Sequence, residues 1–319
     1  MNLPVSERSD PADRPSEGLT ADELTRFSRQ VSLPEIGIAG QQRLKAAKVA
    51  LVGLGGLGSP AAMYLAAAGV GTLGLIEDDR VDVTNLHRQV LFGDGDVGRS
   101  KVDAAADRLT SMNPRVRVRR HPVRLTSKNA LDLLGSYDLV VDGTDNFPTR
   151  YLVNDASVLL GIQNVHGSVL RFEGRVSVFG AGSGPCYRCL FPTPPPPGVV
   201  QDCRDAGVLG VLPGLIGVLQ AVEAIKWISG FGESLAGRLL LVDVLHLRLQ
   251  TVRVNRDARC PACGTRELTT LIDYDAFCGA SENRAAGVRR VSPAVLAQRL
   301  TSGAQLIDVR EPWEWALGH

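Results

Sequence analysis

The chain has 319 residues, of which 44% are hydrophobic, with a formal net charge of +1. That length and apolar content supply one large α/β domain plus a small appendage. The balanced charge argues against a broadly basic or membrane-adsorbing surface, so no nucleic acid and no membrane are expected as partners.

Residues 1–19 are rich in Pro, Ser and charged side chains and lack an apolar core, so they read as a disordered tail, neither signal peptide nor anchor. Thr20 and Glu23 have capping-box spacing and open a short helix carrying Arg26, Phe27, Arg29 and Gln30. Apolar runs at 49–52, 72–76, 116–118 and 138–141 predict strands, alternating with helices at 59–68, 99–112 and 127–134. This pattern predicts a Rossmann-like, doubly wound, mostly parallel sheet. Past Asp145 the pattern changes to an antiparallel C-terminal extension. One hairpin is expected from Val165–Leu170 and Arg175–Phe179 around a Glu173-Gly174 turn, another from Leu239–Val242 and His246–Val254. The five prolines between Pro192 and Gly198 mark the start of a surface crossover. Val208–Ile228 is the most apolar stretch, but Pro213, Gly214, Gly217, Gln220, Glu223 and Lys226 interrupt it, which predicts a buried core helix and not a membrane span.

The first chemical signal is a glycine loop, Gly53, Gly55, Gly56 and Gly58, on the turn between a strand and a helix. Glycines admit a phosphate close to the backbone, and the helix start favours an anion. Glu77, ending the next strand, is placed to accept from a ribose hydroxyl. An NAD-dependent oxidoreductase fits this much. Arg88 and Lys101 add cations that suit a triphosphate, although each alone reads equally well as a solvated charge. Asp145 lies just beyond a strand's carboxyl end, where a Mg2+ ligand and a helix N-cap are both open readings.

Six cysteines without secretory features point to thiols or metal ligands in a cytoplasmic protein. Cys186 and Cys189 with Cys260 and Cys263 form two C-x-x-C knuckles that complete a four-cysteine structural Zn2+ site, against unrelated thiols or a redox pair. Cys203 reads as a loop thiol or as a nucleophile activated by Arg204 and the following helix; Cys278 has no supporting group. His87, His166 and His246 stand isolated in the sequence and are expected in structural or surface roles.

Taken together, Arg26–Gln30, Gly53–Gly58, Asn85-Leu86-His87-Arg88-Gln89, Lys101, Asp142-Gly143-Thr144-Asp145-Asn146, both cysteine pairs and Cys203-Arg204-Asp205-Ala206-Gly207 resemble the MoeB/ThiF adenylyltransferases, relatives of ubiquitin-activating enzymes. The resemblance runs over residues 20–275. It implies that Glu77 holds the ribose of ATP, that Asn85, Arg88, Gln89 and Lys101 surround the phosphates, and that Asp145 binds Mg2+. It further implies a homodimer in which Arg29 reaches the partner's triphosphate, and a sulfur-transfer or carrier-linking role for Cys203. The implied substrate is a small ubiquitin-like sulfur-carrier protein ending in Gly-Gly, served by a persulfide sulfur donor, as in molybdopterin or thiamine biosynthesis. Glu77 departs from the pattern, since relatives more often carry aspartate there.

The expected organisation is a tail (1–19), an adenylyltransferase domain (20–278), a linker (279–290) and a segment (291–319). In the last, a helix at Ser292–Leu300, a strand at Gln305–Val309 and Arg310-Glu311-Pro312-Trp313-Glu314-Trp315 resemble the opening of a rhodanese domain. The segment lacks a rhodanese's persulfide-carrying cysteine and enough chain for its own core, so rhodanese activity is not expected and Leu306, Ile307, Val309, Trp313 and Trp315 have no evident burial. Alternatives to the adenylyltransferase are the oxidoreductase and a non-catalytic ATP-binding scaffold that docks a carrier.

Overall fold

The computed structural model describes residues 18–180, 184–196, 207–279 and 291–308, together with Trp315. The chain divides into two compact units, Met1–Ala280 and Ser281–His319.

In the first unit, helix α1 (Ala21–Arg26) opens on a closed capping box: Thr20 N–H donates to Glu23 Oε2 at 2.7 Å and Glu23 N–H to Thr20 Oγ1 at 3.2 Å. After α2 (Ser28–Val31) and α3 (Gly37–Ala46) come β1 (Lys48–Val52), α4 (Gly58–Ala68), β2 (Thr72–Ile76), α5 (Lys101–Met112), β3 (Arg117–His121), α6 (Ala130–Leu134), β4 (Leu139–Asp142) and α7 (Phe147–Leu160). The rest consists of β5 (Gln163–Leu170), β6 (Glu173–Phe179), α8 (Tyr187–Leu190), α9 (Val211–Ser229), β7 (Arg238–Asp243), β8 (Arg248–Arg253) and α10 (Tyr274–Phe277).

The strands form one sheet in the order β3-β2-β1-β4-β5-β6-β7-β8. Pairing is parallel from β3 to β5 and antiparallel from β5 to β8. Every residue of β2 and β4 is buried, which explains their unbroken apolar runs: helices cover both faces of a parallel sheet. β3 is the edge strand and runs on to His121, beyond its apolar start; its Arg117, Arg119 and Arg120 charge an edge that would otherwise invite pairing.

Helix α9 packs against α3, α4, β5 and β6. Among the described residues it is the one helix long and apolar enough to cross a membrane, yet Gln220 and Glu223 are buried within the fold. The first hairpin turns at Arg171-Phe172 and not at Glu173-Gly174, because Leu170 pairs with Glu173 and Arg171 takes φ +54°. Gly174 lies inside β6, where a Cβ would stand 2.4 Å from Ile216 Cδ1 of α9. That glycine serves helix packing.

In the second unit, α11 (Pro293–Thr301) is capped by Ser292, whose Oγ accepts from Val295 N–H at 3.4 Å. The expected strand is not formed over Gln305–Asp308. A strand needs a neighbour to pair with, and no strand is formed among the described residues of this unit. Leu306, Ile307 and Trp315 are exposed; Val309 and Trp313 lie outside the described residues, as do the tail to residue 17 and residues 280–290.

Candidate active site

Between β1 and β4 the strand order reverses, which creates the crevice where open α/β sheets bind ligands. Two loops meet there. Gly53 takes φ +88°, and a Cβ on it would lie 2.9 Å from Gly143 O; a Cβ on Gly58 would lie 1.9 Å from Gly53 O. The glycine loop therefore folds tightly on itself and against the loop after β4. Gly55 differs, since among the described residues a Cβ there meets only Gln89 Nε2, at 3.8 Å. The loop tip is open, with the amino end of α4 behind it.

The predicted nucleotide residues gather around that tip. Glu77 is half-buried at the end of β2, and its Oε2 accepts from Leu54 N–H of the loop at 3.1 Å while Oε1 accepts from Asp78 and Asp79 N–H. Lys101 begins α5, is buried, and donates from Nζ to Asp79 Oδ2 at 3.0 Å. Gln89 is buried with Oε1 unpartnered, so an orphaned amide stands beside an open cradle, as a polar ligand requires. Arg88 donates from Nη1 to Thr84 O at 3.0 Å, and its Cγ would lie 3.5 Å from a Cβ on Gly56. Asn85 donates to Thr84 Oγ1 at 3.5 Å.

On the opposite wall, Asp145 is exposed and makes no hydrogen bond or ion pair among the described residues. The cap of α7 is Asn146, whose Oδ1 accepts from Thr149 N–H at 2.9 Å and Oγ1 at 2.7 Å. The capping reading thus falls to Asn146 and leaves the Asp145 carboxylate available. Arg29 lies exposed on α2 without a hydrogen bond or ion pair among the described residues, and Cys203 lies outside them.

The four knuckle cysteines come together although 70 residues separate the pairs. All are free thiols, and their sulfurs lie within 4.8 Å of one another, with Cys186–Cys260 at 3.6 Å and Cys189–Cys263 at 3.3 Å. A tetrahedral ion with bonds of about 2.3 Å to sulfur needs edges of about 3.8 Å, so the set fits zinc. Cys278 is half-buried, and burial pushes its thiol up to about 11.

Two groups escape sequence reasoning. Arg188, inside the first knuckle, is buried and holds Asp155 of α7 through Nε at 2.8 Å and Nη2 at 2.7 Å, while Tyr274 Oη donates to the same carboxylate at 2.7 Å. The guanidinium stands over the Phe277 and Tyr151 rings at 4.7 and 5.0 Å. The sequence signal is a polar Asn154-Asp155 pair between the apolar Tyr151-Leu152-Val153 and Val158-Leu159-Leu160 runs of α7. Nor are the histidines isolated: His87 meets Arg88, His246 meets Asp243, and His166 meets Asp142 beneath Asp145.

The ThiF family matches residues 27–262. A sulfur carrier protein adenylyltransferase from Thermus thermophilus is 55% identical over 266 residues, covering 82% of this chain and 98% of the relative. The probable adenylyltransferase/sulfurtransferase MoeZ of Mycobacterium tuberculosis is 47% identical over 318 residues, covering 97% of this chain and 80% of that protein. Among solved structures, Escherichia coli MccB with ATP gives a TM-score of 0.67 at 23% identity over 75% of each chain, which shows a shared fold.

Proposed function

Because the chain belongs to the ThiF family, we propose that it is an ATP-dependent adenylyltransferase that activates the C-terminal glycine carboxylate of a small ubiquitin-like sulfur-carrier protein. The observation that carries this reading is the open glycine-loop tip flanked by Lys101, Arg88 and Asp145, whose carboxylate has no partner among the described residues. The names of the relatives support it and lend nothing to an oxidoreductase or a scaffold.

In this mechanism the carrier carboxylate attacks the α-phosphorus of Mg-ATP and pyrophosphate departs, leaving an acyl-adenylate. Arg88 and Lys101 stabilise charge on the transferring phosphorus and leaving group by position and electrostatics. Glu77 fixes the loop and accepts from the ribose, and Asp145 ligates Mg2+. No general base is required, since a terminal carboxylate is ionised near neutral pH. The terminal sulfur of a donor persulfide then attacks the acyl-adenylate and expels AMP, giving an acyl disulfide; a second thiol attacks the donor sulfur, forming a disulfide with it and releasing the thiocarboxylate, and Cys203 is the candidate for that thiol or for carrier linkage. Zn2+ on the four cysteines would be structural, because protein ligands fill every position. Thiolates and ATP suit the cytoplasm.

A homodimer completes the reading. Arg29 is exposed and unpaired among the described residues, and exposed apolar side chains stand nearby in sequence at Leu33, before α3, and at Ile38 on α3, with Tyr64 on α4 and Val211 and Leu215 on α9, the two helices that pack with each other. If Arg29 serves the partner's site, mixing Arg29→Ala and Lys101→Ala homodimers and allowing subunit exchange restores activity, because one site in each heterodimer is intact; no recovery would place Arg29 elsewhere. The main test is incubation with Mg-ATP and purified carriers, followed by intact-mass detection of carrier adenylate and by carrier-dependent ATP–pyrophosphate exchange. ATP binding without either product would reject the reaction.

A further inference from the structure

Asp142 ends β4 and pairs in register with His166 of β5. Its carboxylate is fully buried and accepts three hydrogen bonds: Oδ1 from Thr144 N–H at 3.1 Å and Thr144 Oγ1–H at 2.6 Å, Oδ2 from His166 Nδ1–H at 3.0 Å. The imidazole is itself buried, against the Tyr187 and Phe179 rings at 5.0 and 5.8 Å. From the other side, Arg150 Nη2 of α7 donates to Thr144 O at 3.2 Å, and Gln220 Nε2 of α9 donates to Asp142 O at 2.7 Å. Thr144 is thus gripped at its N–H, hydroxyl and carbonyl, and the next residue is Asp145.

We propose that His166 is a positioning residue for the magnesium–nucleotide complex: through Asp142 and Thr144 it fixes the backbone that presents the Asp145 carboxylate. The inference rests on the reading of Asp145 as a magnesium ligand. Its physical basis is the cost of an underserved buried carboxylate. Without the donor at Oδ2, Asp142 loses a charge-assisted hydrogen bond and must take up a proton or turn away from Thr144, and either change frees the peptide just before Asp145. Burial holds the His166 imidazole below its ordinary value, so the ring donates from Nδ1 as a neutral group and brings no second charge under the site. Groups that orient a metal ligand in this way influence metal affinity without touching the ion.

The test measures, for the full chain, the Mg2+ concentration that half-saturates carrier-dependent ATP–pyrophosphate exchange, and by calorimetry the affinity for ATP with and without Mg2+. His166→Leu is expected to raise the half-saturating Mg2+ about tenfold and to leave metal-free ATP affinity unchanged. His166→Asn, whose amide N–H replaces the Nδ1 donor, is expected to recover most of that loss. Should the leucine variant fail to fold, Thr144→Val removes the hydroxyl from the same carboxylate and is expected to shift Mg2+ dependence in the same direction. Asp145→Asn separates the two claims. If it shifts Mg2+ dependence while His166→Leu and Thr144→Val do not, or if His166→Asn is as impaired as His166→Leu, the positioning role is overturned. If Asp145→Asn shifts nothing, the ligand reading falls and takes this inference with it.

Discussion

In the half of the sheet formed by β3, β2, β1 and β4 the strands run parallel, and the side chains proposed to hold the nucleotide stand beyond the strand ends, on loops and helix starts. In the half formed by β5 to β8 the strands alternate, and the clustered groups, the Arg188–Asp155 pair and the four cysteines, pack beside the sheet, buried or half-buried. Glu77, Lys101 and Asp145 meet an open loop tip; Arg188, Asp155 and the four cysteines are packed among aromatic rings and one another. Both halves concentrate polar groups, but the first leaves the Gln89 amide oxygen and the Asp145 carboxylate without a partner among the described residues, whereas in the second Arg188 and Asp155 satisfy each other. Unfinished polarity marks where a ligand belongs, and satisfied polarity marks what holds the fold.

Mutations divide along this line. Arg188→Met leaves Asp155 buried without its cation and is expected to cost about 3–5 kcal/mol of unfolding free energy, measured by urea titration, while the exchange rate of the folded fraction persists. An equal loss of turnover in the folded fraction would show that the second half also shapes the chemistry. Lys101→Ala is expected to do the reverse. Asp79 is exposed enough to hydrate once its partner is gone, so folding survives, while carrier-dependent exchange falls by roughly 10²–10³-fold. Wild-type exchange would remove Lys101 from the phosphate site. Gly55→Ala places a methyl at ordinary contact distance, 3.8 Å, from Gln89 Nε2 at the loop tip, so stability holds while the KM for ATP rises about tenfold, the scale of one unfavourable contact of about 1.4 kcal/mol.

How much was legible follows from how far apart the partners lie in sequence. The runs Val49–Val52 and Thr72–Ile76 and the glycines between them are local signals, and they predicted both the parallel sheet and the loop at its edge. The cysteine pairs were readable because each knuckle carries its own spacing. The Glu173-Gly174 turn misled, since glycine marks close helix approach as readily as a turn. The His166–Asp142 contact was invisible because it joins neighbouring strands 24 residues apart, and nothing in either strand announces its partner. Arg188 was hidden for the same reason, with Asp155 33 residues away.

Acidification is the gentlest probe. Burial lowers the affinity of the His166 ring for a proton, with Asp142 on β4 opposing this and Arg150 on α7 and Arg175 on β6 adding to it; Tyr187 of α8 also faces the ring. The unfolded chain then takes up that proton first, so stability declines as pH falls below about 6.5, the unfolded value. In His166→Asn the decline is expected to be shallower when unfolding is followed between pH 6.5 and 5.5. Identical slopes would assign the acid sensitivity to other groups.

The Arg188 clasp also fixes where the first unit ends. The family match stops at residue 262, yet Cys263 completes the sulfur cluster and Tyr274 shares the Asp155 carboxylate with Arg188. A chain cut at the match would retain every residue proposed for the nucleotide and still lose one member of the four-cysteine cluster, a buried hydrogen bond and the Phe277 ring over the guanidinium. The packing of the first unit therefore continues through α10, past the end of the family match, and that last turn of helix closes over the Arg188 guanidinium.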